Sequence, residues 1–111
     1  MSLYALNLFD LADNDDYLEY SRHSAAAVGR YGGQVAALGK LADDAPVELG
    51  DTPPRQALVL VEWPSRDAFQ AFLDDPENAR LHPLRENGTR RYLWWAYDRL
   101  DDLRPLLRNR A

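Results

Sequence analysis

Residues 92–98 read YLWWAYD. Successive side chains on an extended chain point to opposite faces, so Tyr92, Trp94 and Ala96 fall on one side and Leu93, Trp95 and Tyr97 on the other. Bulky apolar groups therefore leave both faces of this strand. In a chain of 111 residues, helices packed on one face of a sheet leave little material to cover the second. The fold must supply that cover from elsewhere.

A second stretch repeats the pattern. RQALVLVEW (55–63) sets Ala57, Val59, Val61 and Trp63 on one face and Leu58, Leu60 and Glu62 on the other. An apolar run with no wet side indicates a strand covered on both faces. SLYALNLFD (2–10) is a third strand, interrupted by the polar Asn7. QVAALGKL (34–41) is a fourth, weaker strand, whose small residues make it a poor central core strand.

Between the first two strands in chain order, residues 12–33 change period. Tyr17, Ser21, Ala25 and Val28 recur at helical spacing with Tyr20, Ser24 and Tyr31 beside them. Asp13 or Asn14 is placed to cap the helix, Asp15 and Asp16 suit its dipole, and Gly32-Gly33 ends it. Residues 43–54 form a loop, with Val47–Leu49 extended within it. Ser65 caps a helix over 66–75, which buries Phe69, Phe72 and Leu73. Asp75-Pro76 restarts the helix, Pro83 interrupts it, and Gly88 closes it. The last strand spans 89–100, and the tail 101–111 holds about one helical turn. The order is strand, helix, strand, strand, helix, strand. That is an α+β, ferredoxin-like βαββαβ arrangement: a four-stranded antiparallel sheet with its helices on one face. No repeat or linker divides residues 1–111, so one domain is expected.

Composition narrows the function classes. Hydrophobic content is 46% and charged content 28%, as in ordinary globular domains. A net charge of −5 argues against a nucleic-acid partner and against anionic membrane surfaces, both of which call for concentrated Lys and Arg. The absence of cysteine removes disulfides, thiolate catalysis and zinc–sulfur sites. With no apolar run long enough to span a bilayer and no basic leader, cytoplasmic residence is expected.

Several short motifs occur in order: Tyr17 to Tyr20 with Tyr31-Gly32-Gly33, Glu48-Leu49-Gly50-Asp51, Val61-Glu62-Trp63-Pro64-Ser65-Arg66-Asp67-Ala68, Asp75-Pro76-Glu77, and Pro83-Leu84-Arg85. Over residues 3–98 the chain resembles the domain-of-unknown-function-1330 family, leaving 99–111 as a tail. One departure is that Leu49 precedes Gly50 where the family usually has a glutamate. The resemblance implies a subunit of the dimeric α/β-barrel superfamily, in which two sheets pack face to face with the helices outside. That superfamily includes cofactor-independent antibiotic-biosynthesis monooxygenases, muconolactone isomerases and haem-handling chlorite dismutases; the family itself has no agreed reaction.

A homodimer also follows from area. Four strands with about three outward side chains each, at about 50 Å² apiece, present roughly 600 Å², the upper end of what a monomer exposes in one patch. At ~25 cal/mol/Å² its burial contributes up to about 15 kcal/mol per subunit before the entropy of association is counted.

The polar residues within apolar surroundings are the candidates for chemistry. His23, on the first helix beside Tyr20 and Ser24, is the candidate acid or base. Asn7 and Arg85 would orient a ligand, and Glu62 would join them in a cleft between sheet and helices. Tyr20, Trp63, Trp94, Trp95 and Tyr97, with Tyr92, would form an aromatic pocket for a planar organic substrate. Arg90 and Arg91 could join Arg85 in clamping a carboxylate. His82, just before Pro83, is the weaker histidine. Neither histidine has local metal-site spacing, so no metal or cofactor is expected, with haem on His23 as the alternative. The functional expectation is small-molecule binding or catalysis, as cofactor-independent oxidation or isomerisation. The alternative is a non-catalytic accessory dimer.

Overall fold

Strands β1 (Leu3–Leu11), β2 (Gln34–Lys40), β3 (Ala57–Trp63) and β4 (Thr89–Asp98) form one antiparallel sheet, in a computed structural model that describes residues 2–43 and 50–107. The strand order is β2-β3-β1-β4, so the two centrally placed strands are β1 and β3. Between and after them run α1 (Asp16–Arg30), α2 (Arg66–Asp74), α3 (Pro76–Ala79), α4 (His82–Gly88) and α5 (Arg104–Leu107). This is the ferredoxin-like arrangement that the order of elements predicts. Element ends move by one or two residues from the expected ones, except that α1 begins only at Asp16. The expected extension of Val47–Leu49 lies outside the described residues.

The register assigns the faces. Leu3 lies opposite Trp63, Ala5 opposite Val61, and Asn7 opposite both Val59 and Trp94. These residues share the inner face, which the helices cover: Leu3, Ala5, Val61 and Trp63 are buried with Ala27 of α1 and Phe72 of α2. Leu6 lies opposite Leu60 and Trp95, and Tyr4 opposite Glu62 and Tyr97, on the outer face. No described element covers that face, and Trp95 and Tyr97 are 47% and 50% exposed.

Local chemistry fixes the helix ends. Asn14 Oδ1 accepts from the Asp16 backbone N–H at 2.9 Å, and its Nδ2 donates to the Asn87 carbonyl at 3.0 Å. The N-cap position itself is Asp15, whose side chain makes no cap bond, so neither Asp13 nor Asn14 is the cap; Asn14, one residue earlier, turns the chain into α1 and ties its start to the end of α4. Ser65 Oγ accepts from Ala68 N–H at 3.0 Å and Asp75 Oδ1 from Glu77 N–H at 2.9 Å, as predicted for α2 and α3. Asp75 also accepts from the Tyr31 hydroxyl at 2.6 Å; that bond, more than any other interaction, holds its carboxyl below the usual range. Pro83 falls in the first turn of α4, where a missing N–H costs nothing, so the expected interruption falls before it. Three glycines are needed for contact or conformation: at Gly33 a Cβ would strike Val28 and Trp63. Gly32 takes a left-handed φ of +79° that ends α1. At Gly88 a Cβ would strike the Tyr17 backbone nitrogen, so its bare backbone lets α4 close onto α1.

A bulge in β4 matters for the site. The β1–β4 register shifts between Leu8 and Asp10, and Arg91 adopts a φ of +53°. One extra residue in a strand turns the following side chains to the other face. The Arg91 side chain is drawn to Asp10 at 2.6 Å, and its carbonyl accepts from Arg55 Nε at 2.9 Å. Tyr92, on the inner face with Trp94 by strand alternation, stacks on Phe9, with ring centroids 5.0 Å apart and planes 5° from parallel.

Candidate functional site

A cavity of about 340 Å³ lies between α1 and the inner face of the sheet. Its existence follows from the inward stripe of α1. Tyr17 and Tyr20 stand at one end of that stripe and Val28 at the other, but Ser21, Ser24 and Ala25 lie between them. Three small side chains in the middle of a stripe cannot fill the gap between a helix and a sheet. Asn7, Val59 and Val61 form the floor, and Trp63, Tyr92 and Trp94 add aromatic walls. Val35 and Leu38 of the edge strand β2 border it; both are more than half exposed.

Asn7 is the polar centre of this floor. It is only 7% exposed. Its Nδ2 donates to the Val59 carbonyl at 3.1 Å and to the Ala5 carbonyl at 3.3 Å, and its Oδ1 accepts from the Tyr92 hydroxyl. Both donors of the Asn7 amide and its oxygen are thus engaged within the protein, and what it does is hold Tyr92 in place. Burial raises the Tyr17 phenol to about 12, and it also raises Tyr20 and Tyr92 above their ordinary value. All three phenols are protonated at neutral pH. The indole Nε1–H groups of Trp63 and Trp94 are buried with no hydrogen-bond partner in the protein. None of these groups is a base at neutral pH.

Arg85 of α4 stands beside this cavity without lining it. Its guanidinium lies 4.8 Å from the Trp94 ring centre and 5.6 Å from that of Tyr92. It lines a second, shallower basin of about 270 Å³ with Glu86, Arg90 and Arg91, and Tyr92 and Trp94 border both spaces.

The candidate residues thus divide. Asn7, Tyr20, Trp63, Trp94 and Tyr92 come together at the cavity, with Arg85 next door. Others do not. His23 is 55% exposed on the flank of α1, where its Nε2 meets Glu19 Oε1 at 2.9 Å; it does not reach the cavity. Glu62 is on the outer face, 4.0 Å from Arg99. Trp95 and Tyr97 are on the outer face as well, because strand alternation separates them from Trp94. Arg91 is committed to Asp10. His82 lies half-buried in α4, away from these walls. Tyr17 and the Ser21–Ser24 pair are members that the sequence reading treats only as helix packing. Their signal is the run of small residues within an inward stripe. Among the described residues no group of three His, Asp or Glu is arranged to hold a metal ion, and no helix is long and apolar enough to cross a membrane.

Comparison with known proteins bears on the fold. Residues 2–96 match the family model described as "Domain of unknown function (DUF1330)". Among solved structures, RPA0582 from Rhodopseudomonas palustris, a protein of unknown function, is 23% identical, with 91% of this chain and 84% of that one aligned and a TM-score of 0.69. SnoaB, a cofactor-independent oxygenase from Streptomyces nogalater, is 15% identical over 92% of this chain and 96% of its own, also at 0.69. A dimeric ferredoxin-like protein of unknown function from Jannaschia sp. CCS1 is 13% identical over 89% of this chain and all of its own, at 0.66. No curated protein matches the sequence. At these identities the likeness concerns the fold alone.

Proposed function

The chain belongs to the DUF1330 family, and from that premise we propose that it binds a planar, oxygen-bearing organic molecule in the cavity under α1. The observation that carries this reading is the pair of buried indole N–H groups, on Trp63 and Trp94, at a roomy aromatic cavity. An unpaired buried donor costs about 1–3 kcal/mol. A ligand oxygen that reached either indole as the wall adjusts would relieve it, and the rings would stack on a flat ligand. Such a wall favours the anionic form of a phenol or enol, because hydrogen bonds to the charged form lower its pKa. That oxyanion is the state from which cofactor-independent oxidation or isomerisation of a small organic substrate would start. SnoaB, with the same fold, is a cofactor-independent oxygenase, which supports this direction. Among the described residues the cavity is lined by no histidine, carboxylate or lysine that could activate its serines or serve as a base, so the reactivity would come from the ligand.

Pairing of two copies through the outer sheet face belongs to the same reading. The face is broad and apolar, and the Jannaschia protein of this fold is described as dimeric. Both helices and cavity would then lie outside the paired sheets.

The test is a titration of the purified protein with 2-naphthol. Quenching of tryptophan fluorescence, a raised melting temperature and a shift of the ligand's absorbance toward its naphtholate form are expected. Ser24→Phe, which fills the cavity, should abolish all three while preserving the circular-dichroism spectrum. Absence of quenching and of any thermal shift would remove the binding reading; binding without the absorbance shift would remove only the oxyanion.

A further inference from the structure

The basin beside the cavity is rich in arginine. Arg85, Arg90 and Arg91 line it, with Glu86 as its acid. Asp10 neutralises Arg91 at 2.6 Å. Neither Arg85 nor Arg90 has a carboxylate partner among the described residues, so the basin carries a local positive surplus on a protein of net charge −5.

Arg85 is also pre-oriented. Its guanidinium is laid over Trp94 and Tyr92. Its helix is closed on β4 by the Thr89 hydroxyl, which donates to the Arg85 carbonyl at 2.8 Å. A cation already held against aromatic rings loses little freedom when its N–H groups meet a planar anion. The two rings under it are those that border the inner cavity.

We propose that the basin is the carboxylate subsite of the same ligand, and that the protein's substrate class is therefore aromatic acids. The ring would occupy the cavity under α1, and the carboxylate would sit past the Tyr92–Trp94 wall between Arg85 and Arg90. This rests on the cavity reading above and adds the charge and the direction in which the ligand lies. Arg85 and Arg90 are specificity residues here; neither touches the ring.

Three probes of one aromatic frame separate the two readings: 2-naphthoate, the neutral 2-acetylnaphthalene and 2-naphthyl phosphate, each titrated by tryptophan fluorescence at low and high salt. The unaltered protein is expected to bind the acid about tenfold more tightly than the ketone, the worth of one charge-assisted bond, and salt should narrow that gap. Arg90→Gln, at an exposed residue with no partner to lose, should remove the acid's advantage over the ketone. Arg85→Lys, which keeps the charge but not the fork, should reduce it. Equal binding of acid and ketone, or a preference that survives both substitutions, overturns the subsite and leaves the cavity standing. Tighter binding of the phosphate than of the acid overturns the carboxylate assignment. Failure of all three probes to bind overturns the cavity and the subsite together.

Discussion

The two faces of one sheet are built from alternate residues of the same strands, yet they are fitted for different work. The inner face sets Asn7 among Leu3, Ala5, Phe9 and Trp63, and surrounds it with phenols, indoles and small serines. The outer face sets Leu6, Leu60, Leu93 and Trp95 side by side, with Glu62 and Arg99 only at its margin. Polar groups placed inside an apolar wall are costly unless they are used or paired. Apolar groups left in water are costly unless something covers them. In the proposed function the first face takes a ligand and the second a partner, and each part can be broken by itself.

The largest expected effect is on the outer face. Leu60 pairs with Leu6 near the middle of that surface. Leu60→Asp would put an unpaired charge into the proposed sheet-to-sheet contact, a loss of about 3 kcal/mol or more, or upward of a hundredfold in the dimer dissociation constant. Light scattering after size exclusion should change from twice 12.7 kDa to 12.7 kDa, with the fold retained. A variant that still elutes at the doubled mass would place the interface elsewhere.

On the inner face the effect is on stability. Asn7→Ala leaves the buried Tyr92 hydroxyl without its acceptor, which should lower unfolding free energy by about 1–3 kcal/mol. Tyr92→Phe made in the Asn7→Ala background should then cost less than it does alone. Additive losses in that double-mutant cycle would show that the bond between them contributes nothing.

The faces should also differ in their response to alkali. Burial raises Tyr17 from its ordinary 10.0 to about 12, with Tyr20 and Tyr92 raised in the same sense. Such groups favour the folded state while protonated. The stability they contribute is complete below about pH 10 and is lost as pH climbs through about 12. Melting temperature should fall across that window in step with tyrosinate absorbance, and Tyr17→Phe should make the slope shallower. A melting temperature that stays level through the window would mean that the phenols are freely solvated.

Much of this division is legible in the sequence, and what is missed has physical reasons. Apolar runs on both faces of 55–63 and 92–98 announce a sheet with two covers, and Ser65, Asp75 and Gly32 mark helix ends through their chemistry. Alternation alone separates Trp94 from Trp95, so gathering all the tryptophans and Tyr97 into one pocket conflicts with the strand's own geometry. Glu62 fails for the same reason. The bulge at Arg91 has no such signal. Nothing about arginine announces a left-handed backbone, and only the assembled contacts to Asp10 and Arg55 hold it there. The bulge decides where Arg90 and Arg91 fall, whereas the inward position of Tyr92 beside Trp94 follows from alternation alone.

The smallest expected effect concerns His23, and it tests the helix as the others test the sheet. Each residue turns an α-helix by about 100°. The inward stripe of α1 runs through Tyr17, Tyr20, Ser24 and Ala27, so the neighbour of Ser24 is carried off that stripe onto the flank that bears Glu19. The structure places His23 there, bonded to Glu19 and more than half exposed. An imidazole in that position is separated from the cavity by the helix itself and cannot take a proton from a ligand beneath it. His23→Ala should leave 2-naphthol affinity within about twofold of the unaltered protein and should not change its pH dependence near neutrality. A larger loss, or a neutral-pH inflection that disappears with the histidine, would mean that the ligand sits on the outer side of α1. The working face would then be neither face of the sheet.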